Sequence, residues 1–471
     1  MAVSFLHGVE TIEQSSGART ISTVKTAVIG LVGIAPTGPV NEPTLVVSDT
    51  DAAQFGSKLP GFSIPQSLDA IFKQGAGTVI VVNVFDADAH TAQVTDETLT
   101  VADGKLKLGA APIGTVTITD GSGVAVTYVS GTDYSIDDFG NFKTISNLIA
   151  NGTVLKFSYK KLDGAAVTAS TVIGAVDAAT DARTGMKCWD LSFNLFGYNP
   201  KILIAPTFSS LAAVATELTT YAEQYRAITY LDAPAGTSVA TAIAGRGPSG
   251  TINFYTSSKR TELLYPELKW YDADTDSDVT FPYSAFKAGI RAKVDNDEGY
   301  WWSDSNHEIK GITGAEVNIS GAINDASTDA NTLNAAGITT ILNTYGSGIR
   351  TWGNRSAAYP GNTEPDNFIC VRRVADTIHD SVEQACLQLI DQPITQGWID
   401  TVRESVNAFI RTLVGRGALI DGTCKYLKSD NPATELAAGH VTFHIDFMPP
   451  TPAERITFNS YINIEYLTTL S

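Results

Sequence analysis

The chain has 471 residues, 43% of them hydrophobic and 17% charged, and its 32 Lys and Arg against 50 Asp and Glu give a formal charge of −18. This length suits two to four domains, because single hydrophobic cores rarely grow beyond about 250–300 residues. A protein that binds nucleic acid needs a basic face to neutralise phosphates, so the acidic balance argues against that class.

The sequence shows no sign of secretion or membrane insertion. Its start, MAVSFLHGVETIEQ, lacks a basic region followed by an apolar one. Its longest apolar run, residues 78–85, is too short to cross a bilayer. The cysteines at 188, 370, 386 and 424 form no CxxC pair, which predicts reduced core thiols. We therefore expect folding in a cytosol, without membrane insertion.

Two apolar runs near the start predict an α/β unit. Residues 27–35 end at Pro36 and predict a buried strand followed by a turn. Residues 67–85 predict a helix, a Gly-rich turn and a second buried strand. Two buried strands joined through a helix favour a parallel sheet.

The pattern changes near Asp96. Short alternating segments separated by turn residues such as DDFGN continue to about residue 170, without helical periodicity. We predict an inserted, outward-facing β-sandwich over residues 96–185, including its exit linker. Strand and helix patterns return after Trp189, so the insert interrupts one α/β domain made of residues 26–95 and 186–345.

The last third predicts an α+β domain followed by an extended end. Apolar spacing indicates helices near residues 374–389 and 398–413, the second stopped by the GRG of residues 415–417. Residues 346–454 are the predicted C-terminal domain. The sequence therefore indicates a multidomain fold of the α/β and α+β classes, with extended arms at residues 1–25 and 455–471.

The C-terminal arm alternates like a strand, in the segment RITFNSYINIEYL. An extended terminal segment with one apolar face can pair with another chain by strand addition. Three prolines, at 449, 450 and 452, stiffen its exit from the domain. The arm residues expected to contact a neighbouring subunit are Ile12, Ile21, Arg455, Ile456, Phe458, Ile462, Ile464 and Tyr466.

Arginines surround an aromatic residue in GIRTWGNRS and recur in VRRV. Arginine beside an aromatic ring can grip a phosphate, stack on a base or form a cation–π contact inside a protein. Because no basic surface supports the first two functions, we predict a packing and hydrogen-bond junction at the entrance to the C-terminal domain. Its residues are Arg350, Trp352, Arg355, Arg372 and Arg373, the last two facing carboxylates of the domain or of a neighbour.

Motifs of catalysis are incomplete. GLVGIAPTG lacks the GxGxxG spacing of a dinucleotide site, and GxxxxGK[ST] is absent from the sequence. DADTDSD begins like an EF-hand loop but lacks the following Gly and the later Glu, which predicts a solvated acidic loop. His440 and His444 share the polar face of an alternating segment and do not indicate a metal site. We expect no enzyme, no cofactor and no metal.

Several motifs, taken in order, match one family. GVETIEQSSGARTISTVKTAVIGLVGIAP, SIPQSLDAIFKQGAGTVIVVNV, GIRTWGNRS, FICVRRVADTI, NAFIRTLVGRGALIDG and FMPPTPAERITF follow one another as in that family. The chain resembles the contractile tail sheath proteins of bacteriophages and related contractile injection particles, over most of its length apart from the insert. It departs at WSDSN, where many members carry an aromatic residue or PSN.

The resemblance implies a structural subunit that polymerises as stacked six-membered rings into a helical tube around a tail tube. It implies that both arms complete a small sheet in neighbouring subunits, and that release by the baseplate lets the sheath shorten without nucleotide hydrolysis. The tube is thereby driven through a bacterial envelope to deliver a genome or effector. The implied partners are further copies of the chain, the tail tube protein, and baseplate and tail terminator proteins, with no nucleic acid bound directly.

The implied location is the virion tail, assembled in the bacterial host cytoplasm; a phage and a phage-derived bacteriocin particle fit the resemblance equally. The competing hypothesis is an α/β ligand-binding protein or enzyme with an accessory β-sandwich. Such a protein should have a closed pocket with perturbed titratable groups and form a discrete oligomer.

Overall fold

The computed structural model describes residues 21–75, 77–120, 128–273, 275–344 and 346–470. Its strands are β1 (Val28–Gly33), β2 (Thr44–Val46), β3 (Thr78–Asn83), β4 (Thr91–Thr100), β5 (Lys105–Lys107), β6 (Ile113–Asp120), β7 (Tyr134–Ile136), β8 (Asn141–Thr144), β9 (Val154–Leu162), β10 (Ile202–Ile204), β11 (Ile228–Asp232), β12 (Thr261–Leu264), β13 (Leu268–Asp272), β14 (Ser277–Phe281), β15 (Gly314–Ala315), β16 (Ile338–Thr344), β17 (Gly348–Trp352), β18 (Asp421–Lys425) and β19 (His444–Met448).

The α-helices are α1 (Asp49–Ala52), α2 (Ile64–Lys73), α3 (Ala169–Ile173), α4 (Ser192–Phe196), α5 (Ala212–Gln224), α6 (Val239–Ala244), α7 (Tyr283–Asp297), α8 (Asp329–Ala335), α9 (Ile369–Cys386), α10 (Gln396–Gly415) and α11 (Ala433–Ala437). Within the ranges given above, no helix is both long enough and apolar enough to span a membrane.

An eight-stranded sheet organises the body, in the order β17-β16-β12-β11-β10-β1-β3-β2. The six inner strands are parallel, and the two edge strands β2 and β17 run antiparallel to their neighbours. The predicted strand–helix–strand unit is β1–α2–β3, with Ile29 opposite Val79 in a parallel ladder. Every residue of β1 is buried, as expected for a strand covered by helices on both faces.

Two hydrophobic cores cover the two faces of this sheet. Val28 and Val32 of β1 belong to one cluster, together with side chains of α5 and α8. Ile29 and Leu31 belong to the other cluster, together with side chains of α2 and α7. The alternation along one strand therefore gives the body a three-layer architecture.

The insert, residues 91–162, contains two three-stranded antiparallel sheets, β4-β9-β6 and β5-β8-β7. One buried cluster joins them, with Phe142 of β8 and Phe157 of β9 in edge contact at 5.7 Å between ring centroids. The range predicted from the sequence, 96–185, differs from this at both ends. β4 begins at Thr91, and Val167 and Val172 pack into a core of the large sheet because this return segment is apolar.

The C-terminal part combines α9, α10 and a two-stranded antiparallel sheet of β18 and β19. Val374 of α9, Phe409 of α10 and Cys424 of β18 lie in one buried cluster, and Phe447 of β19 packs against it. Helix α10 ends at Gly415, and Gly417 has a φ of +79°, which matches the predicted stop at the GRG.

One expectation about this region needs correction. The predicted boundary between residues 345 and 346 falls inside the β16–β17 hairpin, so GIRTW is the edge strand of the large sheet rather than the start of the C-terminal domain. The segment predicted to pair as a strand with another chain is unpaired in this single chain: residues 455–463 lack regular structure and Ile464–Leu470 is a 3₁₀ helix. A strand needs a partner for its backbone groups, and this single chain supplies none there among its described residues.

Candidate functional site

The edge strand β17 is tied to the segment that covers it. Arg350 donates from Nη1 to the Asn306 carbonyl at 2.5 Å, and Thr351 exchanges backbone hydrogen bonds with Asn306 and His307 at 2.6 and 3.0 Å. Gly353, with a φ of +138°, follows the strand, and a Cβ atom there would lie 2.8 Å from the Cα of Thr339. The first half of GIRTWGNRS therefore closes the outer edge of the large sheet.

Arg355 makes the aromatic contact that the sequence suggested. Its guanidinium lies 3.8 Å from the ring centroid of Phe368 and 4.6 Å from that of Tyr359. Its Nη1 donates to Oδ1 of Asn367 at 2.6 Å, and its Nε and Nη2 donate to the carboxylate of Glu454, with Nε 3.2 Å from Oε1. Each of the three guanidinium nitrogens of Arg355 thus donates to a protein group of its own chain, and two of them share one carboxylate.

Arg372 and Arg373, on α9, both meet carboxylates within the chain. Arg372 lies 2.8 Å from Asp376, one turn along the same helix. Arg373 donates to Asp295 of α7 and, at 3.2 Å, to the carbonyl of Thr26 just before β1. Arg373 therefore connects α9 to the body of the protein.

A buried charged network extends from this contact into the body. On α7, Lys287, Arg291 and Asp295 follow one another at intervals of four residues, and their side chains have no exposed surface. Lys287 Nζ lies 3.2 Å from both Glu262 of β12 and Asp304, and Arg291 Nη2 lies 2.7 Å from Asp295. Sequence reasoning missed this network, although charges at intervals of four in an otherwise apolar helix could have signalled it.

The carboxyl groups of Glu262 and Asp304 in this network have pKa values shifted in opposite directions. Burial raises the pKa of Glu262 to about 7, and the nearby ammonium of Lys287 opposes that rise only in part. Burial also acts to raise the pKa of Asp304, but Lys287 and Arg291 together hold it below its ordinary value. Every charged member has an oppositely charged neighbour, so the arrangement is that of a structural ion cluster, with its charges held in place by one another.

A second set of ion pairs joins α9 to the strands of the large sheet. Asp380 meets Lys201 and, at 2.8 Å, Arg226; Glu383 meets the same Arg226 at 2.6 Å. Arg260, which precedes β12, meets Asp376. The helix that opens the C-terminal part is thus held against the body by charges along much of its length.

The small sheet has one covered edge and one open edge. Asn407 of α10 accepts from the N–H of Cys424 at 2.7 Å and donates to its carbonyl at 3.0 Å, which satisfies the outer edge of β18. Because Cys424 pairs with Ile445, alternation in an antiparallel ladder directs the backbone groups of Ile445 away from β18 as well. Within the described part of the chain, β18 and β19 are the only strands of this sheet, so the outer edge of β19 is open.

The predicted C-terminal arm is exposed along its apolar face. Ile456, Phe458, Ile462, Ile464 and Tyr466 are between 69% and 104% exposed. Contiguous apolar exposure of this kind marks an interaction surface on a folded protein.

The structure describes one of the two predicted N-terminal arm residues. Ile12 is outside the described residues. Ile21 is buried in the cluster of α9 and α10 of its own chain, and Val24 donates its N–H to Ser381 Oγ at 3.2 Å. Within the described residues, the N-terminal segment therefore runs along α9 before it enters β1.

The polar groups at the crevice where doubly wound sheets bind ligands are hydrogen-bonded here to the chain itself. The order of the strands reverses between β1 and β10, and ligands of such folds bind beyond the carboxyl ends of those strands. At that position the Asn83 amide bonds to the backbone of Ala35 and Thr37. Asp232 accepts from Ser209 and Ser284, and burial raises its pKa to about 6 despite these hydrogen bonds.

The acidic loop DADTDSD is also engaged with its own surroundings. Asp276 accepts from the Tyr271 hydroxyl at 2.6 Å and Asp278 from Thr313 Oγ1 at 3.0 Å. Among the described residues, no group of three or more His, Cys, Asp and Glu side chains could hold a metal ion.

These features define a class: a multidomain α/β protein whose charged clusters join its own parts and whose apolar C-terminal segment and open strand edge face solvent. The family description "Phage tail sheath protein central domain" matches residues 181–357, and "Phage tail sheath C-terminal domain" matches residues 362–463. The division between the two agrees with the structure, in which β17 belongs to the large sheet.

Known proteins that are similar to this chain are also tail sheath proteins. The tail sheath protein of Burkholderia phage BcepMu is 47% identical over 475 residues, covering 100% of this chain and 99% of that protein. The tail sheath protein of Escherichia phage P2 is 26% identical, covering 98% and 97%. The helical sheath of the anti-feeding prophage in its contracted state has a TM-score of 0.61 at 17% identity, covering 98% of this chain and 100% of that one.

The PVC sheath complex in its contracted state has the same TM-score at 14% identity, covering 99% of this chain and 100% of that one. The two solved structures show that the fold is shared. The BcepMu relative shows the family: the chain belongs to the contractile phage tail sheath proteins. It is a structural protein of a contractile tail, a component of the virion.

Proposed function

We propose that the chain polymerises as stacked six-membered rings around a tail tube, and that contraction of this sheath drives the tube through a bacterial envelope to deliver a genome or effector. Its partners in this proposal are further copies of itself, the tail tube protein, and baseplate and tail terminator proteins. It binds no nucleic acid directly, catalyses no reaction and assembles in the cytoplasm of the bacterial host.

One observation carries this proposal: the same chain has both an exposed apolar segment and an open strand edge. Residues 456–466 carry apolar side chains at alternate positions, interrupted by Ser460, as a strand covered mainly on one face would. The outer edge of β19 offers backbone groups to such a strand. We propose that the arm of one subunit adds to the small sheet of a neighbour.

Simple energetics support a durable contact of this kind. Each backbone hydrogen bond gained by an added strand contributes about 1 kcal/mol net. Each apolar side chain that moves from water into a contact contributes about 1.5–3 kcal/mol when fully buried. Several such terms in each subunit, repeated around a ring and between rings, can hold a polymer together while the bodies of the subunits move.

The same proposal includes a division of the chain into arms and domains. The arms in this proposal are residues 1–25, of which Ile21 and Val24 contact the C-terminal part of their own chain, and residues 455–471. The α/β domain is interrupted by the insert, and the C-terminal domain carries the small sheet. We propose that the boundary between these two domains lies after β17, between residues 357 and 362, and that the insert, which has its own hydrophobic cluster, faces outward as a β-sandwich.

Electron microscopy of the purified full-length protein at high concentration tests the proposal. Hollow or helical tubes support it. Uniform small particles with a measurable turnover of some substrate would instead favour an α/β enzyme or ligand-binding protein.

A further inference from the structure

We propose that Arg355 and Glu454 form a clasp that fixes the root of the C-terminal arm and so sets the direction in which the arm leaves its subunit. The inference rests on the proposed function, because it concerns the arm that a neighbouring subunit would receive. Arg355 is a positioning residue in this account.

Residues outside the arm hold the guanidinium of Arg355 in place. Phe368 and Tyr359 lie against it, and Asn367 accepts from its Nη1. Asn367 is itself fully buried, and its Nδ2 donates to the carbonyls of Asn362 at 3.1 Å and Glu364 at 2.6 Å. Only one edge of the guanidinium, formed by Nε and Nη2, remains directed toward the arm.

Glu454 fills that edge with both carboxylate oxygens. Oε1 accepts from Nε at 3.2 Å and Oε2 accepts from Nη2. This two-point geometry fixes the angle of the carboxylate as well as its distance, which a lysine at position 355 could not do.

The clasp lies where the chain changes from packed to exposed. Pro449, directly after β19, is buried, and Pro450 and Pro452 are half-buried. The side chains of residues 455–467 are all exposed. Proline restricts the backbone at three of the six positions between β19 and Arg455, so the segment 449–454 is a stiff spacer attached at both ends.

The point from which the arm can change direction is therefore Glu454 and not Met448, the last residue of β19. An arm that leaves from a fixed point in a fixed direction loses less conformational freedom when a neighbour binds it. The ion pair itself is partly exposed, with 18% of the Arg355 side chain and 46% of the Glu454 side chain accessible. Its loss should therefore change the stability of the subunit little.

Limited trypsin digestion of the unassembled protein at low concentration measures the clasp directly, because the arm begins with Arg455. We expect Glu454→Gln to speed cleavage after Arg455 by about three- to fivefold, since proteolysis follows the population of the released state. Arg355→Gln should have the same effect, and the double variant should be no faster than either single one. The melting temperature of Glu454→Gln should stay unchanged, because this variant keeps the contacts of Arg355 with Asn367, Phe368 and Tyr359, and the fraction of protein in tubes should fall.

Asp88→Asn is the matched control, because it removes an exposed pair with Lys160, at 3.1 Å, in a different part of the chain. It should alter neither cleavage after Arg455 nor assembly. Unchanged cleavage in Glu454→Gln would overturn the clasp, and faster cleavage with tubes at the wild-type level would overturn its role in directing the arm. Tubes formed by a chain that lacks the whole arm would instead contradict the proposed function, whatever the cleavage rates.

Discussion

Arg373 of α9 and Asp295 of α7 form an ion pair in which 5% of the arginine side chain and none of the aspartate side chain is exposed. Asp295 also accepts from Arg291 Nε at 2.9 Å. The pair joins the first helix of the C-terminal part to a helix that covers the large sheet. It is one of several ion pairs that hold α9 against the body.

Removing one member of that pair should destabilise the subunit strongly. Asp295→Asn leaves the buried guanidinium of Arg373 without its carboxylate and Arg291 with only Asp304 at 3.8 Å, and breaking a buried pair typically costs about 3–5 kcal/mol. The free energy of unfolding in urea measures the loss. Asp297→Asn is the control, because its pair with Lys293 at 3.7 Å is exposed and should contribute below about 1 kcal/mol. Equal effects of the two substitutions would contradict the importance of the buried pair.

Trp352 should stabilise the β16–β17 hairpin. Its indole Nε1 lies 3.1 Å from the Asn334 amide oxygen, in the amide orientation whose nitrogen also donates to the carbonyls of Trp352 and Ile338 at 3.0 Å. Trp352→Ala should lower the free energy of unfolding by about 2–4 kcal/mol, because the side chain is half-buried. Trp352→Phe keeps most of the apolar contact and should cost about 1 kcal/mol. Thermal unfolding of both variants tests this order.

Glu267 should make stability fall as pH rises. Burial raises its pKa from 4.5 to about 7, and Asp232 and Glu316 add to the rise. The native state therefore binds this proton more tightly than the unfolded state, so the contribution is complete below pH 4.5 and is lost as pH rises through 7. Glu267→Gln should gain stability relative to the wild type at pH 8 but not at pH 4.5. A difference that is the same at both pH values would contradict this.

The two faces of the arm should tolerate charge differently. Ile462→Asp places a carboxylate on the alternating apolar face, where a neighbour would bury it, and should abolish tubes. Asn459→Asp adds the same charge on the other face and should still assemble. Both positions are exposed in the single chain, so the melting temperature should not change. Electron microscopy after matched purification provides the comparison.

Local sequence signals predicted the positions of helices and strands better than the contacts between them. The apolar run of β1 and the helical spacing of α9 and α10 are properties of short segments, and the structure has these elements where they were expected. The alternation after Gly439 predicted a strand, and β19 forms over its second half, where Ile445 and Phe447 reach the buried cluster.

Contacts between distant residues were beyond these signals. GIRTW pairs with β16 in a hairpin that no local sequence pattern indicates, so local patterns alone do not assign it to the large sheet. Arg355 and Glu454 are 99 residues apart, and Arg373 and Asp295 are 78 apart. The sequence suggested that these arginines meet carboxylates, but tertiary structure decides which ones. The arm alternates like a strand yet forms none in the single chain, because the partner it needs is not part of that chain's own fold.

The most direct test of the proposal that the C-terminal arm joins subunits into a sheath is removal of residues 455–471, followed by electron microscopy and thermal unfolding. The account predicts a soluble, folded subunit with an unchanged melting temperature, because the removed side chains through residue 467 are exposed, and it predicts that ordered tubes are lost. Tubes of normal diameter and order from the truncated chain would contradict it.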